Sequence, residues 1–471
     1  MNIHTLSSSY DWSESKKSWV ADNLPQLNRR ALQNDLGFAD MATLLNHQVL
    51  SDAPHAEETA DRDVVGILLT LGLIGSSVER HAQQQKMAQT LKDGRTSYAS
   101  RMKEIKPSEG LSTLLVQDSI PFADYFQGMA DKIGHPHRDS FMTLIEYNGP
   151  GVEVRHPRTR QVIYRLSAAF KDSRFSTFSG TETEHNFFRL VKETFALQTG
   201  ANQYIEQVQA PENSLDSKEA VDAALTATQL MLAIKAQMLD FMKYKAFDID
   251  FFLDEFRQYQ CLWYADRYLK PPSAANDTAA LYRDLMLFEN LVEPYEYFPG
   301  FRAHATDICS VLLPHDAQML QSAMALPSIE RKILNTLGME KADLKGVNAG
   351  SAVALLKKHP WLTAYSQLFN AQRDVSSTHF ALVLKFLVRP QQQRAINQDD
   401  RNNVTIVDND QGVTGMDPND ILVRLNEARK HHLLTWMNSI TNVKHLAKSF
   451  LQHWEYKMLS HQEHMSLSRF I

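Results

Sequence analysis

His379 is the residue whose type and sequence context point most directly to chemistry. On a helix it shares one apolar face with Val375, Leu382, Val383 and Phe386. A titratable imidazole directed into an apolar interior needs a partner, because it has lost its hydration. One such partner is iron, since a single axial imidazole can hold a haem in an apolar pocket while its second nitrogen is fixed by a carbonyl or carboxylate. The alternative is a hydrogen-bonded core histidine, which this helix taken alone favours.

Residues around and beyond His379 carry a resemblance to a known family. The stretch 361–433 is similar to the closing part of the indoleamine 2,3-dioxygenase family, in which a His-x-x-x-Val-x-Lys helix precedes a polar loop and a Gly-x-x-Gly-x-Asp turn. The matching residues here are His379, Val383, Lys385, Gly412, Gly415 and Asp417.

Two further blocks agree with this resemblance in the same order along the chain. The residues from Arg257 to Trp263 resemble the family's Arg-x-Tyr-x-x-x-Trp helix, and Phe252 precedes them. The pair Phe187-Phe188 opens an apolar helix, as the family's distal-pocket phenylalanines do. The resemblance extends over about 64–433, although only these short blocks are specific.

The resemblance implies a set of roles for these residues. The cofactor is haem b, and His379 is the proximal ligand of its iron. Arg257 holds the carboxylate of an aromatic substrate, and Lys385 or Arg373 contacts a haem propionate. The remaining residues implied to contact the substrate are Phe187, Phe188, Phe252, Val413 and Thr414.

Ordinary structural roles remain open for the same residues. A buried guanidinium at Arg257 is equally served by an internal salt bridge, with Asp254, Glu255 or Asp266 as the partner. Phenylalanines at helical spacing are more often core residues than pocket walls.

Three positions depart from the family pattern. The family's Gly-Gly-Ser loop is replaced by the residues from Phe298 to Phe301, which puts tryptophan as the substrate in question. Ser376 stands where the family has an arginine, and this removes one propionate contact. Val191 stands where many members have a serine, so no hydroxyl is expected there.

Composition restricts the partners. The chain has 471 residues, 43% of them hydrophobic, which permits two or more packed domains. Its formal net charge of -6 gives no general attraction to phosphate. The basic cluster at 155–165 has no array of aromatic residues for stacking bases. We therefore predict no nucleic-acid partner.

Cysteine content and hydropathy indicate the compartment. Cys261 and Cys309 are too few for a disulfide framework, and the first four residues lack the features of a signal peptide. The apolar run 64–78 is interrupted by glycines and is shorter than the ~20 residues that span a bilayer. We predict a cytoplasmic protein without membrane association, in which this run is a buried helix.

The expected fold is all-α, with the two-domain arrangement of the haem dioxygenases. A smaller N-terminal domain covers 1–150, a linker covers 151–185, and a large haem-binding domain covers 186–471. Alternation at 152–155 and strand-forming residues at 161–165 predict a small hairpin within 152–165.

Hydrophobic periodicity predicts the main helices. A polar N-terminal arm precedes helices at 40–48, 64–91 and 139–147, and the large domain contains helices at 217–244 and 308–324. Prolines are expected to end two further helices because proline lacks a backbone donor. Pro271-Pro272 would end the Arg257 helix, and Pro390 would end the His379 helix.

The segment 391–415 is rich in Gln, Asn and Asp and cannot build a core. It is therefore either a disordered connector or a lid. We predict a mobile lid that closes over the pocket, with Gly412 and Gly415 providing its turn and Arg394 and Arg401 accessible to trypsin.

Other histidine pairs have spacings that a metal could use. They are His135 with His137 and His461 with His464, but neither pair has a clear third ligand nearby in sequence. Solvated surface is the expected location of both.

The expected function is a haem-dependent dioxygenase that oxidises tryptophan or a related indole with dioxygen, giving an N-formylkynurenine-type product. One alternative is an indole-rearranging haem enzyme, because the chain also resembles monodechloroaminopyrrolnitrin synthase. Another is a haem-binding sensor without turnover. A third is a helical interaction protein without haem.

Overall fold

The computed structural model describes residues 9–92, 120–172, 174–261, 263–264, 268–269, 272, 277–294, 298–341, 343, 347–397 and 418–453. Within these residues the chain is mainly helical, with two short antiparallel hairpins. The predicted all-α class is therefore confirmed.

The first part of the chain is built from helices that surround one long apolar helix. Their bounds are α1 Ser9–Leu32, α2 Phe38–Leu45 with a π turn at Asn46–Leu50, α3 Asp61–Lys92 and α4 Ala123–Ile133, followed by a π turn at Met142–Glu146. The prediction of a polar N-terminal arm was wrong. The α1 helix packs on α3 and buries Trp12, Val20 and Leu24, a stripe that the many polar residues around it concealed.

The α3 helix lies in the core, as its sequence predicted. The stretch Asp61–Lys86 is long and apolar enough to cross a membrane by composition, but 94% of its most apolar window is buried inside the protein. Within it, Gly75 lies directly against the indole of Trp263.

The hairpin predicted within 152–165 is present. Strand β1 Val152–Arg155 pairs antiparallel with β2 Val162–Leu166, and Val152 lies opposite Leu166. Both strands pack against the long helix that follows, where Gly200 allows close approach of Val154.

The larger part of the chain begins with two long helices, α5 Glu182–Gln209 and α6 Lys218–Phe241. Their N-caps are Thr181 and Ser217, whose side chains accept from the backbone N–H groups of Glu184 and Ala220. The predicted start of the second helix at 217 is thus confirmed, and α6 packs against α5 on one side.

A segment of mixed helical turns follows α6. It comprises an α turn at Ile249–Phe251, a π turn at Phe252–Phe256 and a 3-10 turn at Arg257–Tyr259. The prediction that this helix runs to Pro271-Pro272 was wrong. The chain instead forms a hairpin of β3 Trp263–Tyr264 and β4 Tyr268–Leu269, in keeping with the strand preference of aromatic residues.

The remaining helices complete the bundle around α6. They are α7 Thr278–Leu287, α8 Phe301–Ile308, α9 Pro314–Ala325, α10 Ile329–Leu337, α11 Ala349–Lys358, α12 Leu362–Val383, α13 Arg389–Ile396, α14 Pro418–His431, α15 Leu433–Met437 and α16 Thr441–His453. The α12 helix carries His379 and packs on α6, and it buries Leu368, Phe369 and Val375.

The prediction that the His379 helix stops at Pro390 was also wrong. A π turn at Leu384–Val388 joins α12 to α13, in which Pro390 occupies the first turn. Proline is tolerated there because its missing N–H falls where no intrahelical donor is needed. The helical path consequently continues to Ile396, into the segment 391–415 that the sequence predicted to be a mobile lid.

Candidate functional site

His379 lies on α12 among the apolar residues that its sequence context predicted. Val375, Leu382 and Phe386 are buried on the same face, and the imidazole itself is partly accessible. Within the described part of the chain, neither ring nitrogen of His379 has a hydrogen-bond partner. The partly accessible imidazole therefore presents a ring donor and a ring acceptor that no described residue uses.

Two other interior histidines show what a satisfied imidazole looks like in this protein. His81 Nε2 lies 3.0 Å from Asn28 Oδ1. His135 uses both nitrogens, 2.7 Å from the Pro136 carbonyl oxygen and 2.8 Å from Ser140 Oγ. Among the described residues His379 has no such partner, so a hydrogen-bonded core histidine does not describe it there, and the interior His432 likewise has no partner for either ring nitrogen.

The charge state of His379 suits a ligand. Burial, and then the nearby positive charges of Arg429 and Arg283, lower the pKa of His379 to about 4. The imidazole is consequently neutral at neutral pH, which is the form that donates a lone pair to a metal.

The three phenylalanines predicted as pocket walls lie together. Phe188 is buried, while Phe187 and Phe252 are half-buried. The rings of Phe187 and Phe252 lie 5.6 Å apart, and the Phe256 ring lies 5.2 Å from Phe187 and 5.7 Å from Phe188. These residues form one aromatic cluster between α5 and the segment 249–259.

A second apolar cluster joins these aromatic residues to the His379 helix. Phe247, Leu382 and Phe386 form its buried centre, and Leu190 and Phe252 pack against it. The Phe247 ring lies 5.4 Å from Phe252 and 4.6 Å from Phe386. The structure thus brings Leu190, two residues after Phe188, and Phe252, five residues before Arg257, against the apolar cluster that includes Leu382 of the His379 helix.

Arg257 follows Phe256 directly and is 3% exposed. It already has an interaction partner, so the guanidinium is held by the protein and is not free. Of the internal partners considered from sequence, Asp254 accepts two hydrogen bonds from Arg394, of 2.6 and 3.0 Å. Asp266 lies outside the described residues.

The two residues predicted to contact a haem propionate make other contacts. Lys385 donates to the carbonyl oxygen of Met242, and its side chain is exposed. Arg373 donates to Asp374 Oδ1 at 2.5 and 3.1 Å, and Asp374 also accepts from Lys235. Neither is among the charges that shift the pKa of His379.

A buried group of charges near His379 was missed by the sequence reasoning. Asp284 accepts from Arg283 at 2.8 and 3.1 Å, from Arg429 at 2.6 Å and from Gln372 at 2.7 Å. Gln372 and Ser376 lie two turns and one turn before His379 on α12, and Gln372 Nε2 donates to Ser376 Oγ at 3.3 Å. We call Arg283, Asp284, Gln372 and Arg429 the Asp284 cluster.

Some predicted site residues lie outside the described residues. Val413 and Thr414 are among them, as are Gly412, Gly415, Asp417 and Arg401. Val191, at the position of the family's serine, is half-buried on α5 and packs against the core.

The loop from Phe298 to Phe301, which the resemblance aligns with a Gly-Gly-Ser, is anchored in the core. Phe298 and Phe301 are buried, and Gly300 between them has a φ of +94°. A Cβ at Gly300 would lie 3.1 Å from the Pro294 ring, so this position combines a left-handed backbone with close packing.

The remaining histidine pairs gain no support as metal sites. Solvated surface was the wrong prediction for His135, which is buried and uses both ring nitrogens, whereas His137 Nε2 lies 2.6 Å from Asp131 Oδ1. His461 and His464 lie outside the described residues. In the part of the chain that the structure describes, no group of three His, Cys, Asp or Glu side chains is placed to hold a metal ion. A haem iron needs only one protein ligand, so this observation does not bear on His379.

No protein-family profile matches this chain, and no curated protein matches it.

Proposed function

We propose that this protein is a haem-dependent oxygenase of an aromatic, carboxylate-bearing substrate, with His379 as the axial ligand of the iron. The observation that carries the proposal is the imidazole of His379, which has no hydrogen-bond partner among the described residues and stands, partly accessible, on an apolar helix face. Its ring nitrogens are therefore available to a ligand, and binding iron would use one of them.

The residues around His379 fit a haem. A haem needs a neutral imidazole, apolar walls for its ring and positive charge for its carboxylate arms. Phe247, Leu382 and Phe386 provide apolar surface beside the helix, and Arg429 and Arg283 provide the charge. When bound, haem supplies the redox chemistry that activates dioxygen, which no side chain of the protein can supply.

The protein's own residues then bind and orient the substrate. Phe187, Phe252 and Phe256 offer ring faces and edges against which an aromatic substrate packs, and they exclude water. Arg257, next to Phe256, would orient a substrate carboxylate through a bidentate contact. Because Arg257 already has a partner, the carboxylate joins or replaces an existing contact.

The proposed reaction is addition of dioxygen across the C2–C3 bond of tryptophan or a related indole. The product is an N-formylkynurenine-type compound, as the resemblance to the indoleamine 2,3-dioxygenase family implies. Support for this part of the proposal comes from the three sequence blocks and from the contacts that join them.

A rearranging haem enzyme similar to monodechloroaminopyrrolnitrin synthase is the second candidate. The observation in its favour is the loop from Phe298 to Phe301, whose two buried phenylalanines replace the family's small residues. Such a loop changes the shape of the substrate that fits, while the haem ligand stays the same. A haem sensor without turnover is separated from both candidates by the absence of any product.

Haem titration tests the proposal. We expect the purified wild type to give a Soret band with one equivalent of haem, and His379→Ala to lose it or to recover it only with added imidazole. His432→Ala is the matched control, since His432 is also an interior histidine whose ring nitrogens have no hydrogen-bond partner in the described part of the chain; its ring stacks 4.7 Å from Phe369, and its Nε2 lies 3.3 Å from Glu330 Oε1 without hydrogen-bond geometry. A wild type without a Soret band, or equal loss in both variants, would refute the assignment of His379.

Turnover is measured next. Wild-type protein with haem, a reductant and tryptophan is expected to form an N-formylkynurenine-type product, identified by mass. A product to which no oxygen atom has been added would support the rearranging enzyme, and no product from any indole tested would support the sensor.

A further inference from the structure

The Asp284 cluster carries more positive than negative charge. Arg283 and Arg429 contribute two positive charges and Asp284 one negative charge, and each of the three side chains is at most 7% exposed. Asp277, at the start of α7, is also influenced by Arg283, but its Oδ1 accepts from the backbone N–H of Ala280 as the helix N-cap. Among the described residues, the two guanidinium groups therefore share the carboxylate of Asp284, and one of them is left with unused donors.

Hydrogen bonding identifies Arg429 as that guanidinium. Among the described residues, Arg283 makes three bonds, two to Asp284 and one of 2.8 Å to Gln198 Oε1. Arg429 makes one there, from Nη2 to Asp284 Oδ2, and its Nε has no acceptor. A buried charge with unused donors is costly unless another group pairs with it.

The Asp284 cluster is attached to the helix that carries His379. Gln372, which donates to Asp284, precedes His379 by two helical turns on the same face of α12, or roughly 10 Å along the axis. Ser377, two residues before His379, donates from Oγ to Asn426 Oδ1 at 2.7 Å, and Asn426 precedes Arg429 by about one turn on α14, so α14 packs on α12 beside the imidazole. A ligand centred on the imidazole and carrying an anionic arm could therefore reach Arg429.

We propose that Arg429 binds a propionate carboxylate of the haem held by His379, with Arg283 and Asp284 fixing its guanidinium in place. This inference rests on the proposed function. It assigns the role to a residue on α14 that none of the sequence blocks contains, and not to Lys385 or Arg373. Ser376 stands where the resembling family has its propionate-binding arginine. Arg429 would take over that contact, because it is connected to Ser376 through Asp284 and Gln372.

The test compares haem with haem dimethyl ester, in which both propionates are esterified. Each is titrated into wild type, Arg429→Gln and Arg373→Gln by absorbance at the Soret band. We expect wild type to prefer haem over the ester, and Arg429→Gln to lower that preference at least about ten-fold, because a hydrogen bond to a charged group is lost. Arg373→Gln should leave the preference unchanged.

Removal of Arg429 leaves Arg283 and Asp284 as a balanced pair, so we expect Arg429→Gln to fold. If Arg429→Gln does not fold, two further variants test the role of Arg429. Arg429→Lys should retain part of the preference for haem, and Ser376→Arg added to Arg429→Gln should restore it by placing a guanidinium one turn before His379.

The outcomes separate this inference from the proposed function. Haem binding with an undiminished preference in Arg429→Gln would overturn the role of Arg429 alone. A wild type that binds neither haem nor its ester would overturn the proposed function, and this inference with it. A preference lost in Arg373→Gln and kept in Arg429→Gln would assign the propionate to Arg373 instead.

Discussion

The rings of Phe247 and Phe386 lie 4.6 Å apart and join the segment that precedes Arg257 to the helix that bears His379. Phe386 is two turns beyond His379, and Phe247 also contacts Phe252 at 5.4 Å. A chain of stacked and tilted rings therefore runs from Phe386, beyond the His379 helix, to the aromatic cluster of Phe187, Phe252 and Phe256. These contacts fix the spacing between that cluster and the His379 helix.

Phe386→Ala tests that relationship. Removing a buried phenylalanine typically costs about 3–5 kcal/mol of stability, so we expect a loss in this range by chemical unfolding. Phe386→Leu should cost less because it leaves a smaller cavity. A double-mutant cycle with Phe247→Leu measures their coupling, and strictly additive effects would mean that the two rings do not depend on each other.

Arg257→Gln tests the substrate clamp. Loss of a hydrogen bond to a charged group costs about 1.5–3 kcal/mol, so tryptophan should bind roughly ten-fold more weakly or worse. Tryptamine lacks the carboxylate and should bind as it does to wild type. Binding is followed by the shift of the Soret band. Equal weakening for both ligands would show that Arg257 has a structural role only.

Arg394 is expected to resist trypsin without any ligand. Its side chain is 6% exposed and donates to Asp254 and to Asp250, although the sequence predicted an accessible cleavage site. Asp254→Ala should expose the Arg394 bond to cleavage, whereas Asp250→Ala should do so less because Asp250 is 63% exposed. Peptide mapping identifies the cut, and rapid cleavage after Arg394 in wild type would contradict this prediction.

His81 is expected to make the protein sensitive to acid. Burial, with a smaller effect of Arg80, lowers the pKa of His81 to about 3 from its ordinary value of 6.5. Between these values the unfolded state binds more protons than the folded state, so the stability that His81 contributes is present above pH 6.5 and is lost as the pH falls.

Relative to His81→Gln, wild type should lose about 1.4 kcal/mol of unfolding free energy per pH unit below 6.5. Urea unfolding at about pH 7 and about pH 5.5, on either side of that value, provides the measurement, and the exposed His47→Gln serves as the control. Parallel stability profiles of wild type and His81→Gln would contradict the assignment.

Gly75→Ala should destabilise the protein although alanine is the better helix former. The added Cβ would lie 2.4 Å from the Trp263 ring, and such overpacking costs about 1–3 kcal/mol. Gly128, also in a helix, has open space where a Cβ would stand, with no atom within 4 Å, so Gly128→Ala should instead stabilise by roughly 0.5–1 kcal/mol. Thermal unfolding of the two variants should therefore shift in opposite directions.

Features fixed by local sequence were predictable. The helix start at Ser217, the hairpin at Val152 and the buried α3 helix each depend on neighbouring residues, and the structure contains all three. The helix end at Pro390 was mispredicted because the rule for proline depends on whether its N–H is needed, and a preceding π turn changes that requirement.

The Asp284 cluster was beyond local reasoning for a different reason. Asp284 and Arg429 are separated by 145 positions in sequence, and nothing near either residue indicates the other. The same holds for Arg394 and Asp254, which are 140 positions apart. The surroundings of His379 were predictable because its apolar face is a pattern within one helix.

The uninterrupted path from α12 through the π turn to α13 is tied to the rest of the protein on both sides of His379. Gln372 fastens it to Asp284 on α7, and Arg394 fastens it to Asp254 in the segment that leads to Arg257. If this helical path slid or rotated, at least one of these two hydrogen bonds to a charged group would break. The backbone at His379 is consequently held in one position relative to α7 and to the segment 249–259, and in the proposed haem site any adjustment to ligands of different size would come from Phe187 and Phe252, which are only half-buried.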